Sequence, residues 1–147
     1  MAVELVTEYS PELLEMFARL LPQLSRSAQP LDEQSVRSLV EQDCLDLFVF
    51  RSDRPTADGS LPLLGTLSLV TFTIPTGVRA WIEDVVVDEA ARGQGAGAAL
   101  VSAAVAHARE KGCRTVDLTS RPSREAANRL YRRCGFATRE TNVYRHD

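Results

Sequence analysis

The chain has 147 residues, 44% of them hydrophobic, and a formal net charge of −3 at pH 7, enough for one full core and too short for two ordinary domains. The acidic balance argues against nucleic acid as a partner, whose usual footprint is a basic face, and it weakly suits an amine-bearing one. Residues 1–9 lack the basic start and apolar run of a leader, and no stretch approaches the about 18 apolar residues of a membrane span, so a cytoplasmic protein with no membrane partner is expected.

In chain order, Val3 to Tyr9 alternates as a first strand. Ser10 followed by Pro11 reads as an N-cap with proline at the first helical position. Leu13, Leu14, Phe17, Leu20 and Leu21 recur at helical spacing, and the helix is expected to stop at Pro22. The segment from Leu24 to Pro30 is polar and irregular. Asp32 is placed to cap a second helix carrying Val36, Leu39 and Val40 on one side. Leu45 to Phe50 and Leu63 to Ile74 read as strands separated by a long polar turn from Ser52 to Pro62. Pro75-Thr76-Gly77 then leads into a strand from Arg79 to Val87, which makes an antiparallel meander. A helix is expected from about Gly95 to Lys111, with Leu100, Val101, Ala104, Val105 and Ala108 inward and Gly112 as its stop. Thr115 to Thr119 is a buried strand. Ser123 is expected to cap a helix with Ala127, Leu130, Tyr131 and Cys134 on one face, closed by Gly135, and Phe136 to Arg145 supplies one or two short strands. Cys44, Cys113 and Cys134 are odd in number and at no metal-like spacing, so free thiols and no metal site are expected. His107 and His146 have no nucleophile or acid spaced to work with them, and both read as solvated.

The stretch from Val85 to Leu100 runs from an apolar strand through Gly93, Gly95 and Gly97 into a helix. Glycines permit positive φ and close approach, and the helix start presents unpaired N–H groups with a partial positive charge, so an anion is expected there. A P-loop needs Lys and then Ser or Thr after its last glycine, whereas Gly97 is followed by Ala98 and Ala99. The dinucleotide fingerprint is formally matched by Gly93, Gly95 and Ala98, with Asp117 about 20 residues on. Against it, Asp88 to Arg92 separate the strand from the first glycine, and too little chain follows for a doubly wound sheet.

A third pattern, Q/R-x-x-G-x-G/A, is met by Arg92, Gly95 and Gly97. Downstream, Asn128-Arg129-Leu130-Tyr131-Arg132-Arg133-Cys134-Gly135-Phe136 is a helix carrying Tyr and closed by Gly-Phe. With these two motifs in order, the sequence resembles the GCN5-related N-acetyltransferase (GNAT) superfamily, strongly over residues 81–137. Locally, Ile82-Glu83-Asp84-Val85-Val86-Val87 and the spacing of Asn128 and Tyr131 look most like the branch containing glucosamine-6-phosphate N-acetyltransferases. The resemblance implies an α/β (α+β) fold in one domain over residues 1–147: a mixed, mostly antiparallel, twisted sheet of about six to seven strands flanked by about four helices. It also implies acetyl-CoA as co-substrate, an amine-bearing acceptor, and no metal.

The same resemblance implies that Gln94, Gly95, Ala96, Gly97 and Ala98, with Gly93, offer main-chain N–H groups to the CoA diphosphate and that Arg92 pairs with a phosphate. Val85, Val86 and Val87 would offer main-chain groups to the pantetheine amides, as an added strand does, and Asn128 would bond the pantetheine or phosphate arm. Tyr131 would protonate the leaving thiolate. A primary amine is mostly protonated at neutral pH, so a carboxylate or ordered water must take its proton. Glu83 and Asp84 are the candidates, expected on opposite faces by strand alternation, with Glu83 favoured. Plainer readings stand beside these: a charge at a strand edge beside Arg79, a core aromatic at Tyr131, a surface pair of Arg92 with Glu89, a buried valine strand. Arg121, Arg124, Arg129, Arg132 and Arg133 read by default as a solvated helix face. A non-catalytic acyl-CoA sensor and a peptide N-terminal acetyltransferase are the alternative functions, and edge strands of a small sheet suggest a homodimer.

Overall fold

The computed structural model describes residues 2–147. Its elements are β1 (Val3–Leu5), α1 (Pro11–Leu24), α2 (Glu33–Glu41), β2 (Leu45–Arg51), β3 (Leu63–Ile74), β4 (Gly77–Val87), a 3-10 turn (Glu89–Ala91), α3 (Ala96–Glu110), β5 (Thr115–Asp117) and α4 (Glu125–Arg133). The five strands form one sheet in the order β1-β2-β3-β4-β5. The first four are antiparallel neighbours, and β5 lies parallel to β4 after the α3 crossover.

The sheet divides the interior into two layers. Phe48 and Phe50 of β2 pack on one face with Leu100, Val101, Ala104 and Ala108 of α3 and Tyr131 of α4. Leu47 and Val49 face the other way, onto Leu13, Met16, Phe17 and Leu20 of α1 and Val36 of α2. A strand covered on both sides must be apolar without a break, which is why β2 reads Leu47-Phe48-Val49-Phe50. Arg51 at its end ties β1 and α1 together, with Nε 2.7 Å from Glu4 and Nη1 2.9 Å from Glu12. That guanidinium holds the Glu12 carboxyl below the usual carboxylate range.

Several expected boundaries shift for identifiable reasons. β1 ends at Leu5 instead of Tyr9, because after Val6 donates to Leu47 O at 2.9 Å the chain turns toward α1. Ser10 caps α1 as expected, its Oγ accepting the Leu13 N–H at 3.3 Å. The helix nevertheless runs through Pro22 to Leu24. Pro22 forfeits one bond near the end, while Ser25 N–H still reaches Leu21 O at 2.9 Å and Leu21 and Leu24 pack into the α1–α2 core. Asp32 caps α2 through Ser35 N–H at 2.8 Å. α4 starts at Glu125 with Arg124 at its cap position and no side-chain cap. The expected Ser123 cap is displaced because Arg124 N–H closes a turn on Arg121 O at 3.0 Å.

The sheet has five strands, fewer than the sequence suggests. Phe136 to Arg145 forms none, and every residue from Ala137 onward is exposed. Val143 and Tyr144 are adjacent, so they cannot make the one-sided apolar face that a half-buried edge strand requires. His107 is also not free in solvent. Its Nε2 lies 3.0 Å from Asp46 Oδ2 and its ring stands edge-on to Phe48, while Lys111, one turn along α3, reaches the same carboxylate at 2.6 Å. All three cysteines are free thiols.

Candidate active site

The ladder between β3 and β4 is broken once. Thr66 pairs with Val86 and Ser68 with Glu83, so Asp84 and Val85 together face the single residue Leu67: a β-bulge. Asp84 has φ of 48°, alone among the described non-glycine residues in being positive. Such a conformation costs an L-residue energy and is concentrated at functional sites.

The bulge changes the phase of the strand. Ala80 and Ile82 pack beneath α3, whereas Val86 packs with α1 and α2, and Val85 and Val87 have taken over the first face. The alternation that would set Glu83 and Asp84 on opposite faces is therefore interrupted between them, and both carboxylates are exposed. Upstream of the bulge alternation holds, so Glu83 lies on the face opposite Ile82, the side covered by α1 and α2.

β5 pairs with β4 only from Arg79 to Trp81, against Thr115 to Asp117. Along the same edge, Ile82 to Val87 has no neighbouring strand, so the main-chain groups of Val85, Val86 and Val87 lie on a stretch of β4 edge that no described strand pairs. Extended ligands bind such an edge by adding a strand's worth of hydrogen bonds.

At the end of β4, Asp88 organises the turn into α3. Its Oδ1 accepts the Ala90 N–H at 3.0 Å, and its Oδ2 lies 3.4 Å from Gln23 Nε2 and 3.7 Å from Arg19 Nη1 of α1. Gly93 and Gly95 follow with φ of 79° and 68°. A Cβ on either would meet nothing within 4 Å, so this side of the loop is open. The N–H groups of Gly93, Gly95, Ala96, Gly97 and Ala98 donate to no main-chain group among the described residues, whereas Arg92 and Gln94 donate to Glu89 O and Ala91 O, each at 3.1 Å. Gln94 thus leaves the expected set of donors, because closing the turn that carries Gly93 uses its N–H. The remaining donors, at the positive end of α3, suit an anion with several oxygens, such as a diphosphate.

Gly97 is small for a different reason. A Cβ there would lie 2.8 Å from Leu130 Cδ2, so this glycine lets α4 pack against α3. Arg92 sits 3.6 Å from Glu89 with the side chains 82% and 83% exposed, a pair that contributes little. It borders the loop from the solvent side.

Tyr131 projects from α4 into the core and is 7% exposed, edge-on to Phe136 with ring centroids 6.2 Å apart. Burial pushes its phenol above the ordinary tyrosine value, with the positive charge of Arg124 opposing. Its hydroxyl makes no hydrogen bond to another described residue and, unlike the ring, keeps contact with solvent, so it is free to meet a ligand. Asn128 is committed in part: its Nδ2 donates to Arg121 O at 3.0 Å and Pro122 O at 3.5 Å. It braces the loop before α4, leaving its carbonyl oxygen for other partners. Sequence reasoning missed Ser52, which is 2% exposed and whose Oγ lies 3.3 Å from Gln94 Oε1, and the tie between Arg19 and Asp88. Asp88 before Glu89 was a legible helix-start signal. The partner of Ser52 had no local signal at all.

The sequence matches the Acetyltransferase (GNAT) family over residues 11–136. The chain belongs to this family. Family membership makes it an acetyl-CoA-dependent acetyltransferase. It is 37% identical over 131 residues to glucosamine 6-phosphate N-acetyltransferase 1 of Oryza sativa subsp. japonica, a match covering 86% of this chain and 75% of that protein. A putative acetyltransferase from Agrobacterium tumefaciens str. C58 superposes with a TM-score of 0.77 at 25% identity, with all of both chains covered. The glucosamine-6-phosphate N-acetyltransferase of Arabidopsis thaliana shares the fold, with a TM-score of 0.77 at 22% identity over 99% of each chain. Among the described residues, no helix is long and apolar enough to cross a membrane.

Proposed function

We propose that the protein N-acetylates the primary amine of a small acceptor by direct attack while acetyl-CoA and acceptor are bound together. The observation that carries this reading is the continuity of an unpaired β4 edge with the unpartnered N–H groups of Gly93, Gly95, Ala96, Gly97 and Ala98. Amide-rich and diphosphate-bearing parts of one ligand match these two surfaces in turn.

Bound acetyl-CoA supplies a thioester whose acyl carbon accepts the amine. Glu83, exposed on the α1 side of β4, takes the proton the amine must lose, directly or through a water. The new bond joins the amine nitrogen to the acyl carbon as the carbon–sulfur bond breaks. Tyr131 donates its phenolic proton to the departing sulfur, and burial favours that role by keeping the phenol neutral. Asp84 fixes the bulge through its backbone and lies on the same unpaired stretch of β4. The name of the rice relative makes an amino-sugar phosphate the first acceptor to try.

The test mixes protein, acetyl-CoA and a panel of amines led by glucosamine 6-phosphate, with aminoglycosides and peptides included, and follows free thiol. Acceptor-dependent thiol release is expected, with the acceptor gaining the mass of one acetyl group; silence across the whole panel would overturn the assignment of an amine acceptor. Glu83→Gln removes the base while keeping size, so kcat/KM for the acceptor should fall about a hundredfold at neutral pH. Part of that loss should return as pH is raised toward the amine's own pKa of about 10, and an unchanged rate would pass the role to Asp84 or to water.

A further inference from the structure

We propose that Ser52 is a positioning residue for the phosphate cradle: its buried hydroxyl fixes the Gln94 side chain and, through it, the left-handed glycines on either side. This rests on the cradle reading above and extends it to a residue 42 positions away on the loop after β2.

The cradle has open space on its outer side, where a Cβ at Gly93 or Gly95 would touch nothing within 4 Å. Its shape must therefore be set from beneath. Ala91 and Ala96 are buried at its two ends, and between them Arg92, Gly93 and Gly95 are exposed. Gln94 alone sends a polar side chain inward from that span, to within 3.3 Å of Ser52 Oγ, while its Nε2 is buried without a partner among the described residues.

The local chemistry indicates how the contact is made. Ser52 Oγ also accepts the Arg54 N–H at 3.0 Å and lies 3.2 Å from Arg54 O. A hydroxyl has one proton and two lone pairs, so it cannot donate to both Arg54 O and Gln94 Oε1. Turning the Gln94 amide by half a rotation, which exchanges oxygen and nitrogen at almost unchanged shape, resolves this. Gln94 Nε2 then donates to Ser52 Oγ, Ser52 donates to Arg54 O, and Arg54 N–H takes the other lone pair. The buried donor is paired, and the group left over is an acceptor, the less costly orphan.

Such an anchor acts on cofactor affinity, because it holds N–H donors in place before the ligand arrives. Calorimetric titration of coenzyme A into the wild type, Ser52→Ala, Gln94→Ala and the double variant tests it, together with KM and kcat. Ser52→Ala should weaken binding about fivefold, the value of one hydrogen bond, with KM for acetyl-CoA rising in step and kcat held. The double variant should bind no more weakly than the weaker single one, since both remove the same contact. Ser52→Cys, which keeps the volume with a poorer hydrogen-bonding group, should shift affinity in the same direction and serves if the alanine variant does not fold. Affinity equal to wild type in a folded Ser52 variant, or single effects that multiply in the double variant, would overturn the proposal. Wild-type protein that binds no coenzyme A would remove the cradle reading itself.

Discussion

Replacing Tyr131 with Phe lowers kcat about a hundredfold or more, the usual worth of a positioned proton donor, while KM for acetyl-CoA stays within about twofold because the ring and its packing remain. The hydroxyl makes no hydrogen bond to another described residue, so the variant leaves no broken partner behind, and its edge-on contact with Phe136 is retained. The pH profile provides a second readout. Burial raises the phenol, so the protonated donor persists through neutral pH and the wild-type rate loses this contribution only on an alkaline limb above about pH 10. Tyr131→Phe should lack that limb. Steady-state kinetics across pH decides the matter, and a variant with wild-type kcat would reduce Tyr131 to a core aromatic.

Gly97→Val should crowd the seam between α3 and α4. A Cβ already falls 2.8 Å from Leu130 Cδ2, and two further methyl groups force Leu130 out of its present rotamer and disturb its packing between α3 and α4. Overpacking of this kind costs about 1–3 kcal/mol, and a melting temperature lower by about 2–10 °C follows for a chain of this size. Because Tyr131 is the next residue after Leu130, turnover should fall with stability, and Leu130→Ala in the same chain should recover part of both. Thermal melts and kinetics on Gly97→Val and the double variant check this. A valine variant with the wild-type melting temperature would mean that α4 is not seated on Gly97.

Much of the fold was legible. The caps at Ser10 and Asp32 and the apolar runs of β2, β3 and β4 are local signals, and each stands near its expected position. The glycine turn ahead of α3 was legible for the same reason, since glycine spacing before a helix is a backbone requirement written into adjacent residues. What escaped were features decided by distant contacts. Pro22 did not end α1, because packing of Leu21 and Leu24 outweighs one missing bond. His107 found Asp46 and Ser52 found Gln94 only once α3 and the loop after β2 were folded against the sheet. The C-terminal strands were expected from β-forming residues after Phe136, yet those residues carry no one-sided apolar face.

The extra residue in the middle of β4 has a consequence for how this chain tolerates change in length. Asp84 and Val85 together face Leu67, so removing Asp84 would leave Val85 alone opposite Leu67 and close a regular ladder with Val86 still opposite Thr66. Val86 would keep its side toward α1 and Val85 and Val87 theirs toward α3, and what would be lost is the left-handed kink at Asp84. The extra residue therefore serves the backbone at Asp84 alone, and the chain from Val85 to the first turn of α3 would keep its faces with or without it.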